Sequence, residues 1–126
     1  MTFLQFLMLV VAGGAGAGVR YVVTWTVAAR TSRSGFPWAT MIVNLTGSLV
    51  LGCLLGLASG DRAPSDIAVT VGAGFLGGYT TFSAASLETV TLVREKRYVL
   101  AATYGLGVLV AAVALALLGC AWSRSL

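Results

Sequence analysis

Gly77-Gly78-Tyr79-Thr80-Thr81-Phe82-Ser83 lies within an apolar segment long enough to cross a bilayer, and it interrupts that segment with residues a lipid-facing helix tolerates poorly. A glycine weakens a helix interior by about 1 kcal/mol relative to alanine, and here two stand together. Tyr79, Thr80, Thr81 and Ser83 add hydroxyls to a region where an unpaired polar group is costly. Non-helical backbone at membrane depth survives only where protein or a water-filled cavity surrounds it. The carbonyls and helix ends freed at such a break are ready-made ion ligands. The stretch predicts a membrane protein that handles ions and whose third span is broken mid-membrane.

The rest of the chain agrees. Of 126 residues, 58% are hydrophobic and 10% charged, against roughly 25% charged in a soluble domain. Polar bounds mark four apolar segments, 2–29, 37–59, 67–93 and 98–122, each meeting or exceeding the roughly 20 residues of a spanning helix. The connectors 30–36, 60–66 and 94–97 are short, so residues 1–126 read as one all-α domain of four transmembrane helices. The first segment contains a cleavage-like Ala15-Gly16-Ala17, but it lacks a basic n-region and is too long for a signal peptide core. Cys53 and Cys120 lie in apolar segments without metal-ligand spacing and read as small fillers. Glycines four apart at Gly14/Gly18, Gly52/Gly56 and Gly74/Gly78 predict close helix packing.

Lys and Arg set the expected orientation. With four spans, both termini and connector 60–66 share one side, carrying Arg62 and Arg124. The other side carries Arg30, Arg33, Arg94, Lys96 and Arg97. By the positive-inside rule the richer side is cytoplasmic and both termini lie outside. The bias is moderate and still allows both insertions.

Polar residues inside the spans are candidates for function. Arg20 sits well into the first segment, where a central arginine costs roughly 2.5–3.5 kcal/mol on insertion scales. It reads equally as a snorkelling anchor and as a residue facing an anion. Thr40, Asn44 and Ser48 share one helix face, continued by Gly52 and Gly56. That stripe reads first as packing glue, and second as an ion lining in which an amide and hydroxyls solvate an anion. It carries no acid. Phe82 and Ser83 open the second half of the third span, where a ring edge beside a hydroxyl could coordinate a small anion. Glu88 faces roughly the opposite side and reads as a vestibule carboxylate or, more simply, as a headgroup-level anchor. Tyr104 either orients a pore polar group or joins the aromatic belt.

Four helices alone can hardly shield a broken helix from lipid, so an oligomer follows. Two copies crossing at their breaks would present the Gly77 and Thr80 carbonyls of each as four oxygens on a shared axis. Such a set, without a carboxylate, suits a monovalent cation better than Ca²⁺ or Mg²⁺.

These residues form a known pattern. Gly13-Gly14-Ala15-Gly16-Ala17-Gly18-Val19-Arg20-Tyr21, the run from Trp38-Ala39-Thr40 to Val43-Asn44-Leu45-Thr46-Gly47-Ser48, and Gly74-Phe75-Leu76 with the opening stretch resemble the Fluc/CrcB fluoride channel family. The likeness covers the first three segments in order; the fourth matches mainly in length and Tyr104. The resemblance implies an antiparallel dimer that passively exports fluoride and lowers its toxic cytoplasmic concentration. It implies a structural sodium ion, not transported, held by the backbone of Gly77 and Thr80. Asn44, Phe82 and Ser83 would fall on the pore, with Arg20 near its vestibule. The expected partners are fluoride, the bilayer and a second copy or homologous subunit, with no nucleic acid.

One departure matters. Where the family pattern has a second pore phenylalanine this chain has Ala85, and Val108 and Ala112 stand where hydroxyl residues are common. Some members of the family work as pairs of dissimilar subunits in opposite orientations. The losses and the charge bias together predict a subunit that needs an oppositely oriented homologous partner. A small multidrug transporter of similar length would need a carboxylate in its first segment, which here holds Arg20 instead. A non-conducting scaffold would explain the glycine spacing but not the break. Without histidine, and with four acids in no paired arrangement, the chain is not read as an enzyme.

Overall fold

The computed structural model describes residues 2–31, 35–60 and 64–126, so Arg33 and Arg62 of the orientation argument lie outside the described residues. Among the described residues five helices follow one another: α1 (Phe3–Thr31), α2 (Trp38–Ala58), α3 (Asp66–Tyr79), α4 (Phe82–Arg94) and α5 (Tyr98–Arg124). They make four spans long and apolar enough to cross a membrane, the third being 66–94.

The starts follow from local chemistry. Thr2 and Gln5 form a reciprocal cap on α1, the Gln5 N–H donating to Thr2 Oγ1 at 3.2 Å and the Thr2 N–H to Gln5 Oε1 at 3.0 Å. Pro37 immediately precedes α2. Ser65 Oγ accepts from the Ala68 N–H at 3.2 Å, and Asp66 adds a negative charge to the first turn of α3. At the end of α4 the Arg97 N–H reaches Leu92 O and the Lys96 N–H reaches Val93 O, both at 2.9 Å. This crossed pair forces Lys96 to a left-handed φ of 61°, a place where glycine is usual.

The tight helix pairs are alternate rather than consecutive: α1 with α3, and α2 with α5, with α2 joining the two. Small residues set both contacts. A Cβ on Gly74 would overlap Leu9 O, and one on Gly78 would overlap Gly13 O. Likewise a Cβ on Gly52 would overlap Ala116 O, and one on Gly56 would overlap Cys120 O and Ser123 Oγ. Residue numbers rise together on both sides of each contact, so each pair runs parallel. Two of the expected glycine pairs are therefore packing devices. Gly14 and Gly18 are not, since a Cβ on either meets nothing within 4 Å.

A small core of Leu92, Ala101, Tyr104 and Val108 gathers at one end, with Phe36, Met41 and Leu45 against it. Phe36 meets Tyr104 edge-on at 5.5 Å between ring centres. Elsewhere Trp25, Val99, Val110 and Leu117 stand more than half exposed, which suits hydrocarbon rather than water as the surrounding medium.

The third span departs from expectation in one respect. Gly77 and Gly78 remain helical, and the backbone leaves the helix at Thr80 (φ −81°, ψ 158°) and Thr81 (φ −149°, ψ 117°). Gly78 is there for closeness to α1. The interruption is made by side chains that intercept backbone groups.

Candidate functional site

In an unbroken helix the Thr81 N–H would donate to Gly77 O, and the Ala84 N–H to Thr80 O. Neither does. The Thr81 N–H donates to Asn44 Oδ1 at 2.8 Å, and the Ala84 N–H to Thr81 Oγ1 at 3.2 Å. Asn44 Nδ2 donates in return to Thr81 O, also at 2.8 Å, so one amide holds both backbone groups of the extended residue. Thr80 turns its N–H and its Oγ1 to the same acceptor, Leu76 O, at 2.9 Å each. The helical ladder thus claims neither the Gly77 nor the Thr80 carbonyl. Thr81 Oγ1 lies 3.2 Å from Ser83 Oγ, closing a hydroxyl cluster at the start of α4.

Asn44, Thr46 and Gly47 on α2 underlie this break. Thr46 Oγ1 and the Tyr79 hydroxyl share a hydrogen bond of 3.0 Å. A Cβ on Gly47 would overlap Thr80 Cγ2 and come within 3.1 Å of Tyr79 Cδ2. Tyr79 stacks on Phe75 with ring centres 6.2 Å apart.

A second cluster lies nearer the basic end. Thr40 Oγ1 donates to Glu88 Oε1 at 2.8 Å, and the Tyr104 hydroxyl donates to Glu88 Oε2 at 2.7 Å. Three spans meet there through one carboxylate, with Thr40 and Tyr104 buried and Glu88 half-buried. Glu88 does face away from Phe82, as expected, and its carboxylate is engaged inside the bundle. The Thr40 face consequently has an acid against it. Both hydroxyl hydrogens expected on an anion pathway are committed to this carboxylate. A cavity of about 370 Å³ opens beside it, lined among others by Thr24, Phe36, Trp38 and Glu95.

The remaining candidates point outward or stand alone. Phe82 is 80% exposed and Ser83 is exposed, so nothing among the other described residues covers them. Gly77 is exposed too, and a Cβ there would meet nothing within 4 Å. Arg20 is half-buried on α1, without a salt bridge among the described residues. The structure therefore brings Asn44, Thr80 and Ser83 to one place, and Thr40 and Tyr104 to another. The roles of Thr46 and Gly47, and the partners of Glu88, are what sequence reasoning did not place. The signal for Glu88 was available, since an ionisable residue inside a span calls for a named partner.

A family model described as "CrcB-like protein, Camphor Resistance (CrcB)" matches residues 7–120. The chain is 42% identical to the "Fluoride-specific ion channel FluC 1" of Leifsonia xyli over 94% of its own length and 86% of that protein. It is 43% identical to "Fluoride-specific ion channel FluC 2" of Mycobacterium tuberculosis over 85% of this chain and 81% of the other. With the "Fluoride-specific ion channel FluC" of Mesorhizobium japonicum it shares 34% identity over 97% and 98% of the two lengths.

Proposed function

The chain belongs to the CrcB family, and from that premise we propose that it is a subunit of a fluoride channel that lets the ion leave the cytoplasm passively. It is a multi-pass membrane protein and not an enzyme. The observation that carries the reading is the interruption at Thr80–Thr81, where side chains take the two amides that would otherwise occupy the Gly77 and Thr80 carbonyls. Carbonyl dipoles freed in this way suit a small hard cation. The working unit is an antiparallel dimer in which these carbonyls from both subunits hold one structural sodium ion on the shared axis. Exposed Gly77 leaves room for that approach, and exposed Phe82 gains the cover it lacks in one subunit.

Fluoride then passes along Asn44, Phe82 and Ser83. Asn44 spends one of its two amide hydrogens on Thr81, leaving the other for the ion. The ring edge of Phe82 supplies partial positive charge, and the Ser83 hydroxyl a donor. Thr40, Tyr104 and Glu88 line the path toward the basic end, and Arg20 draws anions into the vestibule. Arg30, Arg94, Lys96 and Arg97 favour placing their end in the cytoplasm. Ala85 in place of a second phenylalanine favours pairing with a homologous subunit of opposite orientation. The multidrug-transporter reading is not favoured, since α1 carries no acid.

Fluoride efflux from liposomes tests this. Flux is expected from the chain reconstituted with an oppositely oriented homologue, and much less from the chain alone. No flux in either case removes the channel reading, and equal flux removes the need for a dissimilar partner.

A further inference from the structure

We infer that Gly47 on α2 is a positioning residue that fixes where the Thr80 carbonyl sits and thereby sets the affinity of the sodium site, an inference that rests on the sodium reading above. Three residues of α2 each hold one of three successive residues at the break. Thr46 bonds the Tyr79 hydroxyl, Gly47 lies against Thr80, and Asn44 fixes both backbone groups of Thr81. The extended backbone is shaped on this surface of α2.

Gly47 is where that surface leaves no slack. A methyl group there would overlap Thr80 Cγ2. Rotating the threonine side chain does not relieve the overlap, because a β-branched residue has few rotamers and this one is pinned by the bond from Thr80 Oγ1 to Leu76 O at 2.9 Å. The neighbouring Tyr79 ring, 3.1 Å from the added carbon, blocks the other direction. Displacement must enter the Thr80 main chain, whose carbonyl is the cation ligand. Gly52, one and a half turns further along α2, is equally tight but packs on Ala116 of α5, away from the break.

The experiment measures sodium-dependent thermal stabilisation of the assembled channel, together with its partner subunit, at constant ionic strength. Gly47→Ala is expected to raise the sodium midpoint about tenfold, equivalent to about 1.4 kcal/mol. Thr80→Ser removes Cγ2 but keeps the hydroxyl and carbonyl. Added to Gly47→Ala, it is expected to return the midpoint to within about threefold of Thr80→Ser alone, the signature of coupled neighbours. Gly52→Ala should lower the melting temperature and leave the sodium midpoint unchanged.

A Gly47→Ala channel with the parental midpoint overturns the inference while leaving the sodium reading intact, as does a double variant without rescue. Should Gly47→Ala alone not fold, the double variant decides: a Thr80→Ser-like midpoint supports the inference, and failure to fold overturns it. A parent channel indifferent to sodium removes both the inference and the sodium reading.

Discussion

Replacing Asn44 by alanine removes two hydrogen bonds of 2.8 Å that hold Thr81 out of the helix. Hydrogen bonds between membrane helices average about 0.6 kcal/mol in measured cycles and reach about 1.7, so the pair stabilises the fold by about 1–3 kcal/mol. The more telling effect is local. Once released, the Thr81 N–H can return to Gly77 O, its acceptor in a continuous helix, and the break begins to heal. Asn44→Ala is thus expected to lower thermal stability and to abolish stabilisation by sodium, because the Gly77 carbonyl is no longer available. Asn44→Asp keeps an acceptor for the Thr81 N–H, so it should retain a sodium response despite the cost of a carboxylate in the span. The assay is thermal unfolding with and without sodium, paired with fluoride efflux from liposomes. An alanine variant as stable and as sodium-responsive as the parent would refute the idea that Asn44 maintains the break.

Three further outcomes are expected. Tyr104→Phe removes a 2.7 Å bond to a carboxylate from a side chain only 1% exposed, and should destabilise the protein by about 1.5–3 kcal/mol in denaturant titration. Gly78→Ala drives a methyl into Gly13 O and should cost about 1–3 kcal/mol by separating α1 from α3, whereas Gly107→Ala, with nothing nearby, should be neutral or mildly stabilising in the same titration. Lys96→Gly relieves the left-handed φ of 61° at the α4–α5 turn, so its melting temperature should rise, with a gain of about 1 kcal/mol.

The spans and the presence of an interruption are legible in the sequence because they depend on local composition. Hydrocarbon selects apolar runs of a given length, and a cluster of hydroxyls inside such a run needs an explanation. The cause of the interruption is not legible there. Gly77-Gly78 looks like the breaker, yet whether a glycine loosens a helix or lets a neighbour approach depends on what faces it, and Gly78 faces the backbone of Gly13. The Glu88 cluster escaped for a related reason. Two extended residues reset the rotation of α4 relative to α3, so no helical projection carried through the third span could bring Glu88 to Thr40. The likeness of the Thr40–Asn44–Ser48 face to a single stripe also misleads, since α2 turns Thr40 to Glu88, Asn44 to Thr81 and Gly52 to α5.

The alternate pairing of helices has a consequence for biogenesis. As the chain leaves the ribosome, its first two spans enter lipid before either has met the helix it fits. The earliest intimate contact, between α1 and α3, forms only when the third span is inserted, and α2 must wait for the last. Nascent chains halted after two spans should therefore remain protease-sensitive and open to exchange with other hydrophobic proteins, until the final helix completes the second pair.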